Sequence, residues 1–103
     1  MPDCIAKREL MYSLRGADER NRLVVRVFAP FEVQPGSVDF NVDEGVAGCI
    51  WEVEGLPEKA TDTAFGADSI QALQFASDVD TILRSLRRRY DFYFPTGEPY
   101  FED

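Results

Sequence analysis

Four arginines close to the C-terminus form the one basic cluster of the chain, and they are Arg84, Arg87, Arg88 and Arg89. Guanidinium groups bind phosphate and carboxylate oxygens in a bidentate manner, so the cluster could hold a phosphate or an acidic partner. The same side chains would also suit the C-terminal end of a helix, where the backbone dipole attracts cations. The spacing fits both interpretations and leaves the phosphate site as a hypothesis.

The middle of the chain is acidic. Residues 27–83 carry one basic side chain, Lys59, against eleven acidic ones, and the whole chain of 103 residues has a net charge of −8. Nucleic-acid binding requires a basic surface, so we predict none. An acidic surface instead favours association with a basic protein. The candidate partner-binding residues are Asp39, Asp43, Glu52 and Glu54.

The chain contains no histidine, which excludes Ser-His-Asp and Cys-His catalysis and every histidine-containing zinc site. Asp39, Asn41 and Asp43 alternate as oxygen ligands do in a calcium loop. Counted from Asp39, however, the twelfth position is Ile50, where an EF-hand requires a glutamate. We therefore predict no catalytic residue, no cofactor and no metal site.

The N-terminal residues lack the apolar segment of a signal peptide, and no apolar run reaches the ~18 residues that cross a bilayer. We expect a cytoplasmic protein that does not associate with membranes. In that compartment Cys4 and Cys49, the two cysteines, are expected to remain reduced. Cys49 lies in a strand-like stretch, where a cysteine usually serves as a small buried hydrophobe.

Alternation of apolar and polar residues predicts antiparallel strands in the first half of the chain. Turns rich in Gly, Pro, Asn or Asp separate the alternating segments, which are 5–15, 22–29, 38–42 and 47–54. Residues 55–65 are predicted to be a loop. Tyr90 to Phe94 is aromatic and could add a short C-terminal strand.

The clearest helical pattern covers residues 66–89, with the helix itself from about 68 to 89. Asp68 and Gln71 form a capping box at its start. Apolar residues recur at helical spacing, namely Ile70, Leu73, Ala76, Val79, Leu83 and Leu86, with Ala72, Phe75 and Ile82 beside them. We predict one α+β domain over residues 1–103: an antiparallel meander of about four strands with one long amphipathic helix packed on one face.

A single helix covers only one face of such a sheet. The apolar residues predicted to point away from the helix are Met11, Val24, Phe28 and Ile50. They could form an exposed interaction patch. The C-terminal aromatic residues could instead fold back over them, and these are Phe92, Phe94, Tyr100 and Phe101. The sequence leaves both arrangements open.

Three segments, Ile5–Leu10 (IAKREL), Cys49–Leu56 (CIWEVEGL) and Gly66–Leu73 (GADSIQAL), resemble a family of short, uncharacterised bacterial proteins. That family has a basic-flanked first strand, a C-x-ϕ-x-ϕ-x-G strand in which ϕ is apolar, and a G-x-D-[SA]-x-Q-A-L helix start. The resemblance implies a bacterial origin and a small α+β domain. It implies no activity, and no catalytic residue is carried over from it.

These observations together predict a non-enzymatic protein-interaction domain. It would be either an immunity- or inhibitor-like protein that masks a basic partner, or a homodimer. The alternative is a small-molecule-binding protein or a carboxylate-only enzyme with a pocket between helix and sheet. Such an enzyme would need two convergent carboxylates with separated pKa values.

Overall fold

The structure, a computed structural model, describes residues 2–34 and 45–102. Within these ranges the chain has the predicted α+β composition, with six strands and two short helices. The strands are β1 (Cys4–Leu14), β2 (Asn21–Phe28), β3 (Phe31–Glu32), β4 (Ala47–Glu54), β5 (Ala60–Gly66) and β6 (Tyr90–Tyr93). The helices are α1 (Ser69–Ala76) and α2 (Val79–Arg84).

All strand pairs are antiparallel, and the order across the sheet is β5, β4, β2, β1, β6. The short β3 follows β2 after Pro30 and pairs with the beginning of β4. The antiparallel sheet and the C-terminal strand are therefore confirmed. The loop predicted over residues 55–65 is wrong, because its second half forms β5 along β4. The strand predicted over 38–42 lies outside the described residues.

The single long helix is a wrong prediction. The capping box does start α1, since Asp68 accepts a hydrogen bond from the Gln71 backbone N–H at 2.8 Å, while the Gln71 side chain accepts from the Ala67 backbone N–H at 2.7 Å. The helix then stops, and Asp78 caps α2 by accepting from the Thr81 backbone N–H at 3.3 Å. A second N-cap inside the apolar pattern ends one helix and begins another.

Both helices pack on one face of the sheet, over two adjoining parts of the core. Buried Val79, Ile82 and Leu83 of α2 pack against residues of β1, β2, β4 and β6. Buried Ala72 and Ala76 of α1 pack against β2 and β4.

The predicted apolar stripe of α1 is correct for Ala72 and Ala76 and wrong for Ile70 and Phe75. Ile70 and Phe75 are 68% and 54% exposed, whereas Ala72 and Ala76 are fully buried. The cause is a close approach to the sheet: a Cβ on Gly66 would lie 2.5 Å from the Ala72 nitrogen. At that distance only small side chains fit between helix and strand, so the larger apolar residues of α1 face outward.

The C-terminal residues fold back on the helix side of the sheet. Residues 92–100 form a hairpin, in which the Tyr100 N–H donates to the Phe92 carbonyl at 2.9 Å. The Tyr100 hydroxyl then contacts β1 and α2, since it accepts from Arg8 at 2.7 Å and donates to Asp80 at 2.5 Å. Phe101 packs against the core beside α2. Tyr100 and Phe101 therefore lie on the side of the sheet that carries the helices. They do not cover the opposite face of the sheet.

Both cysteines are free thiols, with Cys4 exposed and Cys49 fully buried. The Cys49 thiol donates to the Phe28 carbonyl at 3.1 Å. Burial raises the pKa of this thiol. Cys49 therefore occupies the structural position that the sequence predicted for it.

Candidate functional site

The sheet face opposite the helices is the candidate functional site, and we call it the outer face. It is formed by every second residue of β1, β2, β4 and β5 together with Phe31, because paired residues of antiparallel strands lie on the same side. Three of the four predicted outward residues, Met11, Phe28 and Ile50, are partly accessible, and Val24 is buried among its neighbours.

An apolar centre lies at one end of the outer face. Phe31 of β3 and Phe65 of β5 both stand opposite Gly48 of β4, one from each side. They remain 36% and 38% exposed. The Phe31 ring lies over Gly48 so closely that a Cβ there would be 2.6 Å from it. Ile50 follows two residues along β4 and extends the centre, so aromatic and aliphatic side chains share this end of the face.

Charged side chains border the apolar centre and form ion pairs with one another. Arg26 of β2 lies opposite Glu52 and pairs with it at 3.6 Å, and it also pairs with Glu54. Arg22 donates to Glu9 at 2.5 Å. Along β1, β2, β4 and β5 the outer face carries three cations and three anions, namely Lys7, Arg22, Arg26, Glu9, Glu52 and Glu54. Asp91 of β6, which lies opposite Ser13, adds a fourth anion, so the face has a net charge of about −1 and is far less acidic than the whole chain, which carries −8.

Two of the four predicted partner-binding residues lie on the outer face, and both are engaged in ion pairs. Glu52 and Glu54 do lie together on the outer face, but Arg26 forms ion pairs with both and offsets one of their two negative charges. Asp39 and Asp43, the other two, lie outside the described residues. Sequence reasoning singled out the two glutamates and missed Arg26, whose opposing register was not visible in the sequence.

Hydrogen bonding stabilises the charged form of one carboxylate on this face. The hydrogen bond from Arg22, with the attraction of Arg22 and then of Lys7, holds the pKa of Glu9 below its ordinary value. Glu9 therefore stays ionised near neutral pH, as a partner in an ion pair and not as a proton donor.

One cavity between α2 and the sheet is too small for most ligands. A cavity of about 120 Å³ opens between α2 and the strands β1 and β2, lined in part by Arg8, Val25 and Val79. Pockets for small molecules usually measure ~300–1,000 Å³. In the described part of the chain no carboxylate lines this cavity. The arrangement gives little support to the alternative of a carboxylate-only enzyme at this position.

Metal and membrane sites receive no support from the described ranges either. No group of three or more Cys, Asp or Glu side chains in residues 2–34 and 45–102 is arranged to hold a metal ion. No helix in those same ranges is long and apolar enough to span a bilayer.

The C-terminal arginines do not stay together as one cluster. Arg89 points away and forms an ion pair with Glu58 at 2.7 Å. The other three, Arg84, Arg87 and Arg88, line one depression, where they are joined by Arg15 from the end of β1. No pattern in the sequence pointed to Arg15, because only the pairing of β1 with β6 brings it there.

No protein-family model matches the chain, and no curated protein or solved structure shows significant similarity to it. The resemblance to short bacterial proteins accordingly stays an expectation. The candidate site is described by its own geometry alone.

Proposed function

We propose that this chain is a non-enzymatic protein-interaction domain that self-associates through its outer face into a homodimer. The supporting observation is the apolar centre around Phe31, Ile50 and Phe65 at one end of the outer face, with charged side chains of both signs along the rest of the face. Protein interfaces usually combine an apolar part with polar and charged side chains in this way.

The charge balance favours a second copy of this chain as the partner. Two molecules of charge −8 repel each other over most of their surfaces. On the outer face Lys7, Arg22 and Arg26 reduce this repulsion. In a two-fold dimer the same patch meets itself, so a face that carries both signs can be complementary to its own copy.

A basic partner is less well supported as the occupant of this face. The predicted acidic contact included Glu52 and Glu54, and Arg26 pairs with both, which leaves one net negative charge among the three side chains. A basic protein would have to displace Arg26 from them before it gained their charge. The immunity- or inhibitor-like function therefore ranks below self-association.

The oligomeric state in solution tests the proposal. We expect sedimentation velocity to give a species of twice the 11.7 kDa chain mass for the wild type. Ile50→Glu places an uncompensated charge in the apolar centre and should yield a folded monomer. The matched control is Ile70→Glu, because Ile70 is equally apolar and more exposed but lies on α1 at the opposite side. This control should remain dimeric.

Thr63→Arg is a second disrupting variant, since Thr63 lies opposite Ile50 on the strand β5 and is not part of the core. It should also yield a monomer, and it replaces Ile50→Glu as the test if that variant proves unstable. A wild type that sediments as a monomer at every concentration would contradict the proposal, and so would dimers that persist in folded Ile50→Glu or Thr63→Arg.

A further inference from the structure

One edge of β1 has no partner strand over residues 6–9, and we call this stretch the open edge. β2 occupies the other edge of β1, whereas β6 pairs only with residues 11–14 before the chain turns back into the C-terminal hairpin. The turn of that hairpin folds toward the end of β1, where Arg20 donates to the Gly97 carbonyl at 3.0 Å. Within residues 2–34 and 45–102, no strand pairs with the open edge.

The backbone groups of Lys7 and Glu9 point toward the open edge. The Arg15 N–H donates to the Arg89 carbonyl at 2.8 Å, in the register of the β1–β6 pairs, so odd-numbered residues of β1 direct their hydrogen-bonding groups to the β6 side. This alternation continues toward the start of β1, since the register with β2 is regular over residues 6–12. Lys7 and Glu9 therefore each offer one N–H and one carbonyl to an added strand.

The cavity of about 120 Å³ between α2 and the sheet lies beside the open edge. Its apolar lining consists of Ala6, Val25, Val27 and Val79. Neither β6 nor the C-terminal hairpin contributes a lining residue, so the described part of the chain provides no wall beyond β1. Apolar cavities of about 150 Å³ bind groups as large as benzene, so this smaller space suits one aliphatic side chain.

The charged residues that line the cavity, Lys7 and Arg8, are both cations, and in the described ranges no carboxylate lines it. Arg8 lies opposite Val25 and therefore points to the helix side of the sheet. It donates to the Tyr100 hydroxyl at 2.7 Å and forms no ion pair in this part of the chain. Asp80 accepts from the same hydroxyl without lining the cavity. An inward-pointing charge on an edge strand discourages pairing with most strands and favours one that brings a carboxylate.

We propose that the open edge binds an extended segment of another protein as an added antiparallel strand. The backbone of this segment pairs with Lys7 and Glu9. Its recognition pattern is Glu-x-Leu, with the carboxylate opposite Arg8 and the aliphatic side chain opposite Ala6, at the cavity. Residues two apart in a strand share a face, so both side chains reach the helix side of the sheet. Backbone pairing combined with pockets for alternate side chains is the usual form of strand addition.

A second copy of β1 fits this edge less well. Backbone pairing requires an odd-numbered residue of one copy opposite an odd-numbered residue of the other. Pairing Lys7 with Lys7 brings two like charges together, and pairing Lys7 with Glu9 places Arg8 opposite Arg8. Like charges directly opposite each other destabilise a strand pair. The open edge is therefore a second interaction surface, separate from the outer face that forms the proposed homodimer.

Fluorescence anisotropy with a synthetic peptide and the full chain tests the proposal. The probe is fluorescein-labelled Thr-Thr-Glu-Thr-Leu-Thr-Thr-amide, and we expect it to bind saturably. Methylation of the amide nitrogen of the threonine between Glu and Leu removes the N–H that bonds to the Lys7 carbonyl. This modified peptide should bind about tenfold more weakly or less. A peptide with alanine in place of leucine should also bind more weakly, because the cavity stays unfilled.

Arg8→Gln is the diagnostic variant, and Lys59→Gln is the control because Lys59 lies in the connection between β4 and β5. Arg8→Gln should weaken binding of the glutamate peptide about fivefold and leave binding of a glutamine version of the peptide unchanged. Lys59→Gln should change neither affinity. Comparing the two peptides separates the contact of Arg8 from any effect of its replacement on the fold, and equal losses for both peptides overturn the proposal.

The strand-addition proposal and the dimer proposal fail separately. Ile50→Glu, the variant expected to abolish the dimer, should bind the peptide as tightly as the wild type does. Absence of saturable peptide binding overturns strand addition, and so does an N-methylated peptide that binds as tightly as the unmodified one. A peptide that dissociates the wild-type dimer also overturns it, because the open edge then belongs to a second copy of the chain.

Discussion

Gly55 shows most directly how a single residue fits this fold. It follows β4 with a φ of +113°, a backbone conformation that residues other than glycine rarely adopt. Its carbonyl accepts a hydrogen bond from the Tyr12 hydroxyl at 2.6 Å, which joins the end of β4 to β1. A Cβ at this position would lie 2.4 Å from the Arg22 carbonyl oxygen. Both the backbone conformation and the neighbouring backbone therefore require glycine.

Gly55→Ala should be clearly more destabilising than Gly16→Ala. Gly16 also has a positive φ, +82°, but nothing lies within 4 Å of its added Cβ. The control variant should lose only the conformational contribution of about 1–2 kcal/mol. The collision at Gly55 should add about 1–3 kcal/mol to that loss. Urea unfolding of both variants measures the difference in the free energy of unfolding. Equal losses of stability would show that the backbone at Gly55 can move away from Arg22 without an energetic cost.

At the scale of elements, Ser77 and Asp78 divide the helical segment into α1 and α2, because Ser77 caps the end of α1 and Asp78 caps the start of α2. Asp78 binds the first turn of α2 twice, by accepting from the Thr81 backbone N–H at 3.3 Å and from the Thr81 hydroxyl at 2.7 Å. The break lets each helix reach a different part of the sheet: Ala72 lies over β4 and β5, and Leu83 lies over the core near β1 and β6.

Asp78→Ala should lower the free energy of unfolding by about 0.5–2 kcal/mol, because α2 loses its N-cap and is too short to be stable alone. Asp18→Ala is the control, an exposed aspartate in the turn between β1 and β2, and it should change the stability little. Chemical denaturation followed by far-UV circular dichroism makes the comparison. An Asp78→Ala variant as stable as the wild type would mean that packing alone holds α2.

At the scale of the whole molecule, the sheet is curled, and the connection between β4 and β5 contacts the start of β6. Glu58 in this connection accepts hydrogen bonds from Arg89 at 2.7 and 2.8 Å and from the Tyr90 hydroxyl at 3.1 Å. Arg89 and Tyr90 stand at the start of β6, which lies at the far side of the sheet from β5. The sheet must therefore curl to bring these residues together.

This contact predicts a dependence of stability on pH. The hydrogen bond from Arg89, followed by that from Tyr90, lowers the pKa of Glu58 from its ordinary value of 4.5. Because the pKa is lower in the folded chain, the stabilisation is complete above the unfolded value and is lost as the pH falls through the folded value. The stability advantage of the wild type over Glu58→Gln should thus be present at neutral pH and disappear in acid.

Thermal unfolding across this pH range measures that advantage, with Glu98→Gln as the control. Glu98 is an exposed glutamate in the C-terminal hairpin, and its replacement changes the net charge equally. A difference between wild type and Glu58→Gln that stays constant from neutral to acidic pH would contradict the assignment.

The sequence by itself determined the local structure of this protein. Alternation fixed β1, β2 and β4, because a half-buried strand must place every second side chain in the core. The capping box fixed the start of α1, because the hydrogen bonds of the Asp68 and Gln71 side chains span only three and four residues of the chain. The absence of histidine limited the chemistry without any reference to the fold.

Only the tertiary structure decided the features that depend on distant residues. β5 has few large apolar residues and is a strand because β4 supplies its hydrogen bonds. Ile70 and Phe75 are exposed because Gly66 brings α1 too close to the sheet for them. Arg26 pairs with Glu52 and Glu54, and Arg15 joins the C-terminal arginines, through strand pairings between residues far apart in the chain. Spacing along a sequence describes neighbours within one element, whereas these contacts are made between elements.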